Sequence, residues 1–416
     1  MPLLRLGEIM PPKPVGQSLK KTSLCALGLL TLSPAGWAGG GNPPQGQFLP
    51  PLPSVNRQAR PRLTAAVTDG TGAAVIAWTQ QEVTAGGYTA GTDHLYAARL
   101  DQRGWTSLGG ILNEDVRHNA SRLQAQVGPD GQPWLGWAED AGIAHVDSTL
   151  LSHWDGHAWS PTAKYALRRN LSDAGKFSAF AVQQNGAPFI VWTNIYYPGA
   201  LGAVLQVGDR AEPSWSFSPP LNVSLKRHAF FPAAAAGNMA TRYAAWMEGD
   251  VAHSDLWVAE QRPGGAWTRL GGALNVHPGT YAASPVMKLT REGRPVVAWL
   301  EDSGGRDQVF VKRWNGHRWV ALGQALNVEP GTLAFRPALA LDGQGNPVVT
   351  WAEQLGQEPE RVYVRRWTGE KWTVLGGRAL NTVAKHRAYQ PSVTVDGSGH
   401  AVVVWCEDAR VFVKRF

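Results

Sequence analysis

Seven polar side chains recur two positions beyond a tryptophan: Gln80, Glu139, Asn194, Glu248, Glu301, Glu353 and Glu407. Acids at Asp140, Asp302 and Asp408 extend three of these places. A second set is basic and lies in the segments that follow a recurring asparagine. It comprises Arg57, Arg60, Arg117, His118, Lys176, Lys226-Arg227-His228, His277 and Lys385-His386-Arg387. Tyr281, Phe335 and Tyr389 add aromatic rings beside them. Two carboxyl groups about 5 to 10 Å apart, one with a raised pKa, would suit glycosidic bond cleavage. Clustered arginines would suit a substrate carboxylate. A group that recurs in five units of seven also fits a structural duty, each Glu pairing with a neighbouring Arg to hold adjacent units together.

These residues are spaced by a repeat. The tryptophans Trp78, Trp137, Trp192, Trp246, Trp299, Trp351 and Trp405 each close a short apolar run, at intervals of 52 to 59 residues. A second landmark reads Trp267-Thr-Arg-Leu-Gly-Gly-Ala-Leu-Asn275, with copies from Trp105 to Asn113, Trp319 to Asn327 and Trp372 to Asn381. Each unit divides into four strands, A to D. The A–B turns are glycine-rich, as in Asp342-Gly-Gln-Gly345 and Asp396-Gly-Ser-Gly399, because such turns need positive φ. Strand B is continuously apolar, as expected of a strand buried on both faces. The period and four-strand unit predict an all-β, seven-bladed β-propeller of antiparallel blades over residues 47–416.

The last unit ends at Phe416 without a strand D. Phe48 to Asn56 aligns with Trp105 to Asn113, Phe48 taking the tryptophan position and Asn56 the asparagine position. The segment around 47–52 is therefore expected to pair with 411–416 and to close the ring, which removes open sheet edges. In such a meander the B–C and D–A loops share one face. Function is expected there, on Glu139, Asp140, Glu248, Glu301, Asp302, Glu353, Glu407, Arg117, His118, Lys176, His228, Tyr281, His386 and Arg387.

Composition narrows the function classes. Glycine, proline and tryptophan are abundant, at 47, 29 and 19 residues, and charged residues make up only 17%, which excludes a disordered or coiled-coil chain. The net charge is +7. Part of it sits in the first 38 residues, and the near-neutral remainder argues against nucleic-acid binding. Lys20 and Lys21, the apolar run Leu24 to Leu32, and Gly36-Trp37-Ala38 read as an export signal cleaved near Ala38. Translation then starts at Met1 or Met10. Residues 39–46 are expected to be a short linker and the mature chain a secreted or periplasmic monomer without a membrane span. Its one remaining thiol, Cys406, lies inside an apolar run and reads as a small buried hydrophobe.

Local catalytic and metal motifs such as Gly-x-Ser-x-Gly, His-Glu-x-x-His and Cys-x-x-Cys are absent from the sequence, so no cofactor or metal is expected. The Trp…Leu-Gly…Leu-Asn repeat resembles uncharacterised secreted bacterial propellers of the broad kelch-like and sialidase-like group. The leading expectation is a non-catalytic binding or scaffold propeller recognising a protein or glycan at the cell surface. The alternative is a carbohydrate-active enzyme, a sialidase-like glycoside hydrolase or lyase, with its site at the channel mouth.

Overall fold

A computed structural model describes residues 46–52, 60–81, 91–101, 104–140, 147–162, 166–167, 178–195, 197–211, 214–250, 252–329 and 331–416. They form a seven-bladed propeller. Six sheets have four antiparallel strands. In blade 2 the fourth strand is reduced to one bridge between Trp154 and Trp159. Strand A is innermost in every blade and packs against strand A of its neighbours.

Strand B is the packed heart of each blade. In blade 6 it runs Pro347–Gln354 and is buried along nearly its whole length. Trp246, Trp299, Trp351 and Trp405 are fully buried between blades. Each core cluster joins the inner strands of one blade to those of the next. Val296, Ala298 and Val311 of blade 5, for example, pack on Trp351 and Tyr363 of blade 6. Cys406 lies in strand B of blade 7 and is wholly buried, and burial pushes its thiol pKa up, so it is an inert core residue.

The A–B turns meet near the ring axis on the face opposite the long loops. The Gly70 N–H donates to the Gly131 carbonyl at 2.7 Å, and Gly397 N–H to Gly72 at 2.9 Å. A Cβ on Gly70 would fall 2.8 Å from Gly131 Cα, so this blade-to-blade approach requires glycine.

The N-terminal strand Gln47–Phe48 completes blade 7, pairing Gln47 with Arg415 and Phe48 with Lys414. The alignment of Phe48 with the repeat tryptophan needs correction. In blade 6, Trp372 pairs with Trp367 and Val374 with Arg365, and Lys414 is the counterpart of Arg365. Phe48 thus stands two places beyond the tryptophan position, which Gly46 occupies. A Cβ there would lie 2.5 Å from the Phe416 ring, so the terminal phenylalanine fills the space that the repeat tryptophan takes elsewhere. Asn56 lies outside the described residues.

Candidate active site at the channel mouth

The recurring glutamates are structural. Glu301 is fully buried. Its carboxylate accepts the Trp299 indole N–H at 2.9 Å, the Val276 N–H at 2.9 Å and the His277 N–H at 2.6 Å. Glu139, Glu248, Glu353 and Glu407 repeat this arrangement, each taking the indole of the tryptophan two residues earlier and the N–H groups that follow the previous blade's asparagine. Positions i and i+2 of a strand share one side, which brings indole and carboxylate together. These five are therefore inter-blade fasteners and not rim ligands. Their partners are indole and backbone N–H groups, where arginines were expected. Burial pushes the Glu139 pKa up against the pull of those donors.

The asparagines cap the same loops. Asn113 accepts the Leu95 N–H at 2.7 Å and donates to the carbonyls of Asp93 and His118. Several basic residues are also spent locally. Arg117 pairs with Asp115 at 2.6 Å on an exposed loop, and His118 lies 3.9 Å from the same carboxylate. His228 accepts the Ala203 N–H and stacks on Phe230. His386 sits 3.8 Å from Glu407 and 3.7 Å from Asp408. Asp302 accepts the Arg306 N–H at 2.8 Å and lies opposite Asp307 in the ladder, near Tyr281. Lys176 lies outside the described residues.

Two residues singled out from the sequence, Asp140 and Arg387, do belong to one array across blades 6, 7, 1 and 2. A cleft of about 600 Å³ between blades 1 and 2 is lined by Arg62, Gln81, Asp93, Asn119, Asp140 and, from blade 7, Gln390. Asn119 spans its two acids: its Oδ1 accepts the Asp93 backbone N–H at 2.9 Å and its Nδ2 donates to Asp140 at 3.1 Å. Asp93 Oδ1 is buried and has no hydrogen-bond partner among the described residues. Burial and then the Asp140 charge raise the Asp93 pKa, while Arg62, 3.8 Å away, opposes them.

Tyr389 continues the array. Its hydroxyl donates to the Pro61 carbonyl at 2.9 Å, and the Arg387 guanidinium lies over its ring at 4.8 Å. Arg387 reaches Glu360 of blade 6 at 2.7 Å, and the other Glu360 oxygen is buried without a hydrogen bond. Arg336 joins this group, with Glu360, Arg387 and Tyr389 as its electrostatic neighbours. Burial lowers the Arg336 pKa, yet its side chain stays open to solvent, so it keeps its charge. Burial pushes Tyr389 up to about 12, with Glu360 adding to the rise and Arg387 and Arg62 opposing it.

A bulge in strand A sets this geometry. Arg122, Phe231, Ser284, Arg336 and Gln390 all have φ between 51° and 53° at bulges in strand A of their blades. Blade 1 has its bulge at Arg62. Repeated left-handed conformations in non-glycine residues are strained, and bulges re-aim side chains beside sites. The dipeptides Phe231-Pro232, Ser284-Pro285, Arg336-Pro337 and Gln390-Pro391 are the sequence trace of this bulge. Asp93 left a fainter one, as an acid that opens strand C in blade 1, like Asp307 in blade 5.

A second groove, of about 990 Å³, lies away from this array between blades 3 and 4. Among the described residues, no group of three potential ligands is arranged for a metal ion, and no helix is long and apolar enough to cross a membrane.

No family model matches the sequence, and no curated protein matches it. Solved structures do share its architecture. An α-L-arabinanase from Penicillium chrysogenum, complexed with arabinobiose, is 13% identical, with 89% of this chain and 96% of that chain covered and a TM-score of 0.47. The NanB sialidase of Streptococcus pneumoniae is 9% identical, covering 89% and 70%, with a TM-score of 0.46. An intramolecular trans-sialidase from Ruminococcus gnavus is 11% identical, covering 86% and 94%, with a TM-score of 0.42. The seven-bladed propeller itself rests on the chain's own strand order. The expectation of a non-catalytic binding or scaffold propeller is corrected: the glutamate rim on which it rested is buried and spent on inter-blade hydrogen bonds.

Proposed function

We propose that the chain is a carbohydrate-active enzyme, a sialidase-like glycoside hydrolase or lyase, that acts at the channel mouth on a sugar bearing a carboxylate. The observation that carries this reading is Asp93: a buried carboxyl oxygen without a hydrogen-bond partner among the described residues, in a cleft, beside a second carboxylate and an arginine. Burial shifts its pKa upward, the direction required of a general acid that protonates a leaving-group oxygen. Asp140, oriented by Asn119, is the anionic partner that activates water or stabilises positive charge on the sugar ring. Arg62, Arg336 and Arg387 supply guanidinium groups for the substrate carboxylate. Tyr389 keeps its proton at neutral pH and serves as a hydrogen-bond donor that ties blade 7 to blade 1.

The test is hydrolysis of 4-methylumbelliferyl glycosides, comparing an α-sialoside and a β-glucuronide with a neutral α-L-arabinofuranoside. The acidic glycosides should be turned over, and Asp93→Asn should lower kcat by roughly a hundredfold or more. Equal turnover by the variant, or turnover of the neutral glycoside alone, would overturn the reading. We also propose that residues 1–38 are an export signal, residues 39–46 a linker, and the substrate a glycan outside the cytoplasm. The basic, apolar and small-residue order from Lys20 to Ala38 supports this.

A further inference from the structure

Five strand-D tryptophans fasten their blade to the one before. Trp105, Trp159, Trp215, Trp319 and Trp372 donate their indole N–H to the carbonyls of Pro50, Leu108, Ala166, Leu270 and Leu322, at 2.5 to 3.2 Å. Trp267 of blade 4 makes no such bond among the described residues. Its would-be acceptor, the Ser218 carbonyl, already takes the Gln206 amide at 2.7 Å.

The platform under the indole also differs in blade 3. At three of the fastened seams, those of Trp159, Trp319 and Trp372, the indole rests over a positive-φ glycine. Gly109, Gly271 and Gly323 have φ of 81°, 73° and 78°, and a Cβ on Gly323 would stand 3.0 Å from Trp372. In blade 3 the Leu-Gly-Gly platform becomes Ser218-Pro219-Pro220. Prolines alone do not remove the fastener, since Leu49-Pro50-Pro51 stands at the same place before Trp105 and the indole there takes the Pro50 carbonyl; in blade 3 the Ser218 carbonyl is instead held by Gln206. The seam therefore stays open as a groove lined by Phe217, Pro219, Arg242, Gln261, Trp267 and Arg269.

Its polar groups also depart from the repeat. The residue of strand C opposite the second position of strand B is Arg99, His153, Arg313, Arg366 and Arg415 in blades 1, 2, 5, 6 and 7. It is Asp209 in blade 3 and Glu260 in blade 4. Strand B opens with Pro or Ala in every blade but blade 4, where Arg242 pairs across the seam with Asp209 and with Gln261 of its own blade. The Arg242 guanidinium also stacks over Phe189 and Trp267.

We propose that this open seam is a second carbohydrate-binding site, separate from the channel mouth, that holds a stretch of the glycan the enzyme acts on. In identifying the ligand as a sugar it rests on the function proposed above. A half-exposed indole with a free N–H offers a ring face and a donor. Arg242, Asp209 and Gln261 hold one another in a fixed polar array that matches paired hydroxyls. The volume is that of a site for a ligand of a few rings. A peptide adding to the strand-D edge fits less well, because every blade presents such an edge and only this seam has the freed indole and the altered charges.

Binding is tested in the full chain with Asp93→Asn to silence turnover, and kinetics in the full chain with Asp93 intact; 3′-sialyllactose, a linear arabino-oligosaccharide and a proline-rich peptide are the separate binding probes. The Trp267 indole N–H resonance should shift with one of the two sugars, and Trp267→Ala should weaken that affinity about tenfold. The variant Gln206→Ala, which frees the Ser218 carbonyl to take the Trp267 indole, should weaken it similarly while the protein stays folded. Neither change should alter kcat on a small aryl glycoside. A silent Trp267 resonance with both sugars, undiminished affinity in both variants, or a shift with the peptide alone overturns the second site. Lack of turnover in a protein whose Trp267 resonance responds to sugar overturns the channel-mouth reading alone.

Discussion

Arg62 Nε stands 3.8 Å from Asp93 Oδ2, beyond good hydrogen-bonding distance, while Asp93 Oδ1 has no hydrogen-bond partner among the described residues. The ion pair is thus incomplete, and burial outweighs it: the Asp93 pKa is raised. A raised carboxyl pKa means that the native state holds its proton more tightly than the unfolded chain. Ionised Asp93 therefore costs stability above its folded pKa, and the cost vanishes as pH falls below the unfolded value. Asp93→Asn should lose activity yet melt higher than wild type at pH 7, with the two curves converging near pH 3. A lower melting temperature at pH 7 would show that the Arg62 contact dominates.

Arg336 bears on substrate charge. It projects from a strained bulge, with φ of 51°, beside Glu360 and Arg387. A charge-assisted hydrogen bond contributes about 1.5–3 kcal/mol. Arg336→Met should raise KM for the acidic glycoside by roughly 10- to 100-fold with little change in thermal unfolding. Steady-state kinetics on an α-sialoside and its methyl ester check this. An equal effect on both substrates would assign Arg336 a structural duty.

The fold was legible because the repeat is enforced by packing: an indole every 52 to 59 residues can be satisfied only by stacked blades. The site was legible only at Asp140 and Arg387. Glu301 and its four counterparts drew attention because recurrent acids look chemical, yet recurrence reflected a shared fastening duty. Asp93 went unnoticed because its chemistry comes from burial and from Asn119 of the next blade, neither of which local spacing encodes. Arg62 and Arg336 reach the array through bulges, which add one residue and so break the two-residue alternation that a strand pattern presumes.

The glutamate fasteners should govern stability. Glu301→Ala leaves the Trp299 indole and two loop N–H groups without their acceptor. At about 1–3 kcal/mol for stranding buried donors, the loss should be roughly 2–4 kcal/mol by urea denaturation. Glu301→Gln keeps an acceptor oxygen and should lose less than half as much. Equal losses would mean that charge, not hydrogen bonding, holds the loop.

Ring closure rests on a short segment. Gln47 and Phe48 pair with Arg415 and Lys414, the Leu49 N–H donates to the Val413 carbonyl at 3.0 Å, and Leu52 is buried against blades 1 and 7. Gly46 adds a steric condition, with φ of 67° and the Phe416 ring against it. Gly46→Ala should destabilise by about 1–3 kcal/mol, from backbone strain and the clash together. Deleting residues 1–45 should leave the melting transition unchanged. Deleting residues 1–52 should lower and broaden it, because blade 7 then loses its outer strand and exposes the ladder of Arg410–Arg415. Identical melting curves for the two truncations would show that the ring is held by the blade-to-blade core alone.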